Sequence, residues 1–202
     1  LTVRQVLELR RNGYTLVGAP RVGVNDAGAA YLYNAAGSLI RTFVGSGNNA
    51  QLGSAVAIVG NYAVIAAPGA GTGGSVFVHS LTSGALVQTL VPPPNGAAGD
   101  QFGASLAAVG SLFVIGAPGR SVGGLSSVGE AYLFDPATGN LAQTFRNPTP
   151  TPNDEFGAAV VAVGGNVLIG SPGDDGSGLD AGAAYLFGTD RATLLRTVSN
   201  PY

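Results

Sequence analysis

The chain has 202 residues, of which 46% are hydrophobic, 10% are charged and 33 are glycine. This composition excludes a solvated disordered chain and favours short strands joined by tight glycine turns. The formal net charge of −2 excludes a basic surface for nucleic acid or anionic membranes, and the absence of cysteine excludes disulfides and thiolate metal sites. No apolar run reaches the ~18 residues of a membrane helix, so no membrane insertion is expected.

A short tripeptide ending in proline closes an apolar run at four places in the chain. The four are Gly18-Ala19-Pro20, Ala66-Ala67-Pro68, Gly116-Ala117-Pro118 and Gly170-Ser171-Pro172. Their prolines lie roughly fifty residues apart, a period typical of propellers and solenoids. The spacing predicts one domain over residues 1–202, built from units at about 1–48, 49–98, 99–152 and 153–202.

Repeat one begins differently from the other three repeats. Over residues 1–11 apolar and polar side chains alternate, which predicts a strand with one apolar and one charged face. The later repeats have Leu-Gly or Phe-Gly at a fixed offset before the proline, whereas repeat one has Arg4-Gln5 there. We therefore expect different surroundings for this strand, whose apolar residues are Leu1, Val3, Leu7 and Leu9. The other strands of repeat one are predicted at residues 14–19, 30–33 and 39–43.

Repeats two to four share one pattern of four short apolar segments. In repeat three the predicted strands are residues 102–110, 112–117, 129–134 and 141–145, with glycine turns between them. Repeats two and four keep this frame, with predicted strands at 63–67, 75–78 and 86–90, and at 167–171, 184–187 and 194–198. Four strands of about five residues form an antiparallel meander the size of a propeller blade.

The predicted fold is all-β, a β-propeller of four four-stranded antiparallel blades. A two-sheet sandwich is the alternative, and the hairpin turns disfavour a parallel solenoid. The expected core comprises Leu16, Ile65, Ile115 and Ile169, with Phe77, Phe102, Phe134, Phe156 and Phe187 between blades. The more polar fourth strands should lie outermost; they contain Arg41, Gln88, Gln143 and Arg196.

Two motifs in repeats three and four resemble a known repeat family. Phe102-Gly103 followed by Gly116-Ala117-Pro118, and Phe156-Gly157 followed by Gly170-Ser171-Pro172, are similar to the FG-GAP repeat of integrin α-subunits and of bacterial and algal surface proteins. The resemblance implies an extracellular or cell-surface propeller used for adhesion or as a scaffold, and not an enzyme. Its partners would be other copies of itself, or surface proteins and glycans.

Integrin-type repeats often carry an acidic calcium loop between the first two strands. Here only two or three turn residues stand there, for example Val109-Gly110-Ser111, too few to supply the six to eight oxygens of calcium. The densest acidic cluster lies elsewhere, after Pro172, and comprises Asp174, Asp175 and Asp180. These carboxylates could hold Ca²⁺, although Asp and Gly are also ordinary turn residues. No other cofactor is expected.

Other polar residues have a structural and a functional interpretation. His79, the one histidine, follows a predicted strand and has no Gly-x-Ser-x-Gly nucleophile motif near it, so we expect no catalytic role. Glu130 is expected near solvent or paired with an arginine, because an unpaired buried charge is costly. The Thr-Pro run after Arg146 predicts an extended linker with O-glycosylation at Thr149 and Thr151.

The two ends of the chain resemble the linkers between repeats. Position 1 is not Met, and Asn200-Pro201-Tyr202 is similar to Asn147-Pro148-Thr149. One hypothesis is that copies join head to tail into a surface filament through residues 1–11 and Tyr202; the other is that the first strand seals the ring against blade four. The function predicted is a non-catalytic extracellular structural or adhesive module. The alternatives are a calcium-dependent ligand-binding propeller and a propeller glycosidase or lyase.

Overall fold

The computed structural model of the chain describes residues 8–11, 13–93 and 96–200. Its strands form four four-stranded antiparallel sheets, and the strand order within each sheet follows the chain. One short 3-10 turn, Val24–Asp26, is the helical element among the described residues. The all-β prediction and the four-blade prediction are confirmed.

Each of the four repeats forms one sheet, which we call a blade. Blade one contains β1 (Glu8–Arg11), β2 (Tyr14–Ala19), β3 (Ala29–Tyr33) and β4 (Leu39–Val44). Blade two contains β5 (Val56–Val59), β6 (Tyr62–Ala67), β7 (Ser75–Ser80) and β8 (Leu86–Leu90). Blade three contains β9 (Ser105–Val109), β10 (Leu112–Ala117), β11 (Glu130–Phe134) and β12 (Leu141–Arg146). Blade four contains β13 (Ala159–Val163), β14 (Asn166–Ser171), β15 (Ala183–Gly188) and β16 (Leu194–Ser199).

The first strands lie together at the centre of the molecule. Strand β1 packs against β5, β5 against β9, and β9 against β13. The fourth strands lie at the periphery and are mostly exposed, as their polar residues predicted. The predicted core positions Leu16, Ile65, Ile115 and Ile169 are fully buried.

Each blade is a sheet with two faces. We call the face on the side of the following blade the forward face and the opposite one the backward face, and we use the same names for the outer faces of blades one and four. Between blades three and four, the forward face supplies aliphatic residues such as Val114 and Leu133, together with Phe145. The backward face of blade four supplies Phe156 and Tyr185. The contacts between blades one and two, and between two and three, use equivalent positions. Stacking of apolar faces between successive blades therefore makes the core, with the aromatic side chains concentrated at the contacts that involve blades three and four.

The Phe-Gly and Gly-Ala-Pro motifs meet where neighbouring blades are closest. Phe156 is fully buried, and its N–H donates to the carbonyl of Val128 in blade three at 2.9 Å. Gly157 donates to the carbonyl of Gly170 within blade four at 2.9 Å. A Cβ at Gly116 of blade three would lie only 2.0 Å from the Gly157 carbonyl oxygen. Glycine at this point lets the two backbones touch.

The forward face of blade four is not covered by another blade among the described residues. Val161 is 52% exposed, Val163 45% and Val198 50%. Their counterparts Ala107, Val109 and Phe145 in blade three pack against blade four. Blades one to four thus stack in succession, and the last sheet keeps one apolar face in solvent.

Two side chains of blade two test the predicted pattern. Phe77 packs between blades one and two as expected, although it is only half-buried. His79 was expected in a loop after the third strand, and this was wrong. It lies in β7, paired with Ala63 on one side and Leu86 on the other, because the ladder continues two residues beyond Val78.

Candidate functional site

Three places at the blade contacts carry polar or open features: two charged clusters and one cleft. The first cluster lies at the backward face of blade three, near its Phe-Gly pair. Arg120 Nη1 lies 2.7 Å from Asp100 Oδ2. Glu130 accepts hydrogen bonds from Tyr132 OH at 2.6 Å and from Arg146 Nε at 3.0 Å. Burial, reinforced by Glu130, raises the pKa of the Tyr132 hydroxyl.

The carboxylates of this first cluster are buried and each has an arginine partner. Glu130 was expected near solvent or paired with an arginine, and the pairing is confirmed while the solvent position is wrong. Arg120 is 14% exposed at its side chain, whereas Arg146 is 70% exposed. The cluster connects β11, β12 and two loops. Its charged groups therefore have a structural role, because they hold these segments together.

The second cluster occupies the equivalent place in blade four, with a different charge balance. Asp154 stands at the position of Asp100, and Asp174 stands at the position of Arg120. Both carboxylates are buried. An aspartate replaces the guanidinium, so hydroxyl, amide and backbone groups take over as donors.

The donors of the second cluster come from the Thr-Pro linker, from β15 and from the loop between β14 and β15. Asp154 Oδ2 accepts from Asn147 Nδ2 at 2.7 Å and from the N–H of Thr151 at 2.6 Å. Asp174 accepts from Tyr185 OH at 2.6 Å and from the N–H of Gly176 at 2.9 Å. Burial, together with Asp174, raises the pKa of Tyr185 to about 12. The cluster fixes the linker against blade four.

The predicted metal ligands Asp174, Asp175 and Asp180 are only partly brought together. Asp174 points into the second cluster, and Asp175 lies at its edge, with Oδ2 3.4 Å from Thr151 Oγ1. Asp180 contributes its backbone N–H, which donates to Asp175 Oδ1 at 2.8 Å. In the described part of the chain, no three Asp, Glu or His side chains are grouped as a metal site. The calcium site stays a prediction.

The predicted glycosylation residues have partners in the same cluster. Thr149 Oγ1 lies 2.9 Å from the Tyr185 hydroxyl. Thr151 Oγ1 donates to Asp154 Oδ1. O-glycosylation of Thr151 would replace its hydroxyl hydrogen with a sugar, so Oγ1 could no longer donate this hydrogen bond. O-glycosylation stays a prediction for both residues, and at Thr151 it would cost a contact with a buried carboxylate.

A cleft of about 540 Å³ lies between blades one and two. It occupies, on the backward face of blade two, the position that the charged clusters occupy on the backward faces of blades three and four. Blade two has Ala50 in place of Asp100, Leu52 in place of Phe102 and Ala70 in place of Arg120. These smaller side chains leave the space open. The sequence contains this signal, because at all three positions repeat two has a smaller residue than repeats three and four.

His79 lines this cleft beside Phe43, with the ring centroids 4.5 Å apart. Burial lowers the pKa of His79, and its Nδ1 lies 3.1 Å from the Gly84 carbonyl oxygen. The neutral imidazole therefore acts mainly as an aromatic wall at the position that Phe187 holds in blade four.

The predicted assembly residues lie almost entirely outside the described residues. These are Leu1, Val3, Leu7 and Tyr202. Leu9 belongs to β1, where it pairs with Leu16. The sequence did not single out the exposed apolar forward face of blade four, which is the candidate interaction surface.

Four-stranded antiparallel blades, stacked through repeated motif contacts, define a repeat protein of the β-propeller class. The family model of the FG-GAP repeat matches residues 86–134 and 150–187, so the chain carries FG-GAP repeats in these two segments. The resemblance drawn from the Phe-Gly and Gly-Ala-Pro motifs is confirmed there. No curated protein shows significant sequence similarity to the chain. Within residues 8–11, 13–93 and 96–200, no helix has the length and apolar character needed to cross a bilayer.

Proposed function

We propose that the chain is a non-catalytic structural or adhesive β-propeller module that works outside the cell or at its surface. The observation that carries this proposal is the exposed apolar forward face of blade four, with Val161, Val163 and Val198 in solvent. Apolar faces of this kind mark protein–protein interaction sites. FG-GAP repeats support the extracellular location, because they are typical of surface proteins.

The use of charge in the molecule supports a scaffold more than an active site. The buried carboxylates of blade three bind arginines, and those of blade four bind donors from the linker. An enzyme needs titratable groups that converge on an open pocket. The cleft between blades one and two is open, but among the residues that line it His79 is the one titratable side chain, and burial lowers its pKa.

The partners we propose are other copies of the chain, or surface proteins and glycans. Sheet faces that stack on one another within the chain are suited to stacking on a further sheet of the same kind. The polar outer strands, with residues such as Gln88, offer hydrogen-bond donors to glycans.

Antibody labelling of intact and permeabilised source cells tests the proposed location. We expect equal labelling of both, and loss of the epitope when intact cells are treated with a protease. A cytosolic protein serves as the control for membrane integrity. Labelling that depends on permeabilisation would contradict the proposal.

Calcium-dependent ligand binding is the second candidate, favoured by the two buried carboxylates Asp154 and Asp174 in one blade contact. If a cation bound there and its free concentration were 100 times its dissociation constant, it would add about 2.7 kcal/mol to the free energy of unfolding. Because donors already occupy these oxygens, we expect the melting temperature to be the same in calcium and in chelator. A large rise with calcium would establish this second function and displace the first.

A further inference from the structure

We infer that the forward face of blade four binds the backward face of blade one of a second copy of the chain. The inference rests on the proposed function, since it specifies the partner of a structural module. The contact would repeat, between molecules, the stacking that joins blades one to two, two to three and three to four within one molecule.

The forward face of blade four has the composition of a covered face. Val161, Leu168 and Leu186 stand where blade three has Ala107, Val114 and Leu133, all three packed against blade four. Blade four has kept apolar side chains at these positions, and Val161 is exposed while Leu168 and Leu186 are half-buried. A face that met only water would gain nothing from this pattern.

The backbone of blade four also leaves space for a neighbouring blade, as a comparison of equivalent glycines shows. In blades one and three, Gly18 and Gly116 face a carbonyl oxygen of the next blade, 2.0 Å from where a Cβ would lie. Their counterpart Gly170 meets only Ala159 of its own blade, at 3.6 Å. The glycine leaves room for a further blade at this point.

The backward face of blade one is the matching surface within the same chain. Val17, Tyr31 and Tyr33 stand at the positions of Ile169, Tyr185 and Phe187, which are the backward-face residues of blade four. All three are half-buried. Blade one thus presents the aromatic pattern that forward faces bind elsewhere in the molecule.

A polar contact at the rim gives the docking its register. Arg41 of blade one donates to the Thr82 carbonyl of blade two at 2.8 Å, and Gln143 of blade three donates to the Asp190 carbonyl of blade four at 2.9 Å. Arg196 occupies this donor position in blade four. Ala36 of the second copy would supply the acceptor carbonyl, since it holds the position of Thr82 and Asp190.

The aromatic pairs of the existing contacts identify the residues that would meet. Phe145 lies 5.5 Å from Phe187, and Phe43 lies 4.5 Å from His79, measured between ring centroids. Val198 holds the position of Phe145 and Phe43, and Tyr33 holds the position of Phe187 and His79. The docking therefore places Val198 of one copy beside Tyr33 of the next.

Disulfide trapping tests this pair directly, because the chain contains no cysteine. Val198→Cys and Tyr33→Cys proteins are mixed in equal amounts and oxidised mildly. We expect the mixed dimer to form several-fold faster than in a control mixture of Val198→Cys with Val24→Cys. Val24 is 82% exposed in the short 3-10 turn between β2 and β3. Equal rates in the two mixtures would overturn the inference.

A charge placed on the face gives a second measurement. Val161→Arg should weaken self-association in sedimentation at least about tenfold, because the contact would bury an unpaired guanidinium. Val24→Arg is the matched control and should associate like the unchanged chain. Unaltered association of the Val161→Arg protein, with an unaltered circular dichroism spectrum, would contradict the proposed contact.

The two proposals fail separately. A surface-located protein that gives no specific Val198–Tyr33 crosslink would retain the proposed function and lose the self-docking contact. A crosslinked protein found only inside cells would retain the contact and lose the extracellular role.

Discussion

At the residue scale, the two arginines that contact Glu130 differ in burial, and this difference sets their energetic roles. Arg120 is mostly buried and pairs with Asp100, whereas Arg146 is largely in solvent. Arg120→Met would leave two buried carboxylates short of positive charge, and we expect it to lower the free energy of unfolding by about 3–5 kcal/mol. Urea denaturation measures the change.

Arg146→Met is the matched control, because it removes an exposed partner of the same carboxylate. Its expected cost is about 0–1 kcal/mol. Equal losses for Arg120→Met and Arg146→Met would show that burial does not decide the strength of these pairs.

Tyr185 makes stability depend on pH in the alkaline range. Its pKa is raised to about 12, chiefly by burial and also by Asp174, while an unfolded tyrosine titrates near about 10. The folded state keeps a proton that the unfolded state loses, so this contribution is complete below pH ~10 and disappears as the pH rises toward about 12. The free energy of unfolding should therefore fall over this range.

Tyr185→Phe removes this titration. We expect the variant to be less stable than the unchanged protein at neutral pH by about 1 kcal/mol, because a hydrogen bond to Asp174 is lost. Its stability should then fall less steeply above pH ~10. Parallel curves for the two proteins would refute the assignment of this pH dependence to Tyr185.

At the scale of the strand, two equivalent glycines test which blade faces are covered. A Cβ at Gly116 in β10 would meet the Gly157 carbonyl of the next blade, whereas one at Gly170 in β14 would meet only Ala159. Gly116→Ala should cost about 1–3 kcal/mol through overpacking. Gly170→Ala should be neutral or stabilise dilute protein by up to about 1 kcal/mol, because it restricts the unfolded chain.

The denaturant midpoints of the two alanine variants, measured on dilute protein, decide the matter. An unchanged midpoint for Gly116→Ala would mean that the contact between blades three and four accommodates a methyl group, as the contact between blades two and three accommodates Ala66 at the same position. A large loss for Gly170→Ala would mean that another element covers blade four.

The sequence predicted the strands well because their signals are local. The apolar run from Tyr62 to Ala67 ends at Pro68, and its burial on both faces is confirmed. The extension of β7 through His79 was missed, since a single histidine after Val78 carries no strand signal of its own. The Phe-Gly motif predicted burial of Phe102 and Phe156 correctly.

The sequence could not predict which apolar residues stay exposed. Val161 and Leu168 have the same character as covered residues in blade three, and burial depends on whether a further blade follows. The two charged clusters could not be predicted from short sequence patterns either. Asp174 and Asp154 come from different loops, and only the stacked blades place their donors around them.

At the scale of the whole molecule, each blade is stabilised mainly by its neighbours, as in other repeat proteins. Blades two and three are covered on both faces, whereas blade four is covered on one. Hydrogen exchange should therefore show the strongest protection in β6 and β10 and the weakest of the inner strands in β13. Mass spectrometry of exchanged peptides measures this order.

Concentration supplies the control for this exchange experiment. If blade four docks on another copy, β13 should gain protection at high protein concentration while β6 stays unchanged. Protection of β13 equal to that of β6 at low concentration would contradict the exposure of this face.

The forward face of blade four, uncovered among the described residues, also bears on how the number of repeats can change. In a sealed ring, adding a blade changes the angle between every pair of neighbours. In an open stack, a further blade needs only a connection of the length of residues 147–158, which join β12 to β13, and a backward face like that of blade four. Tandem duplication of a single repeat would therefore lengthen an open stack without repacking the blades already present, and array length could vary while each contact stays the same.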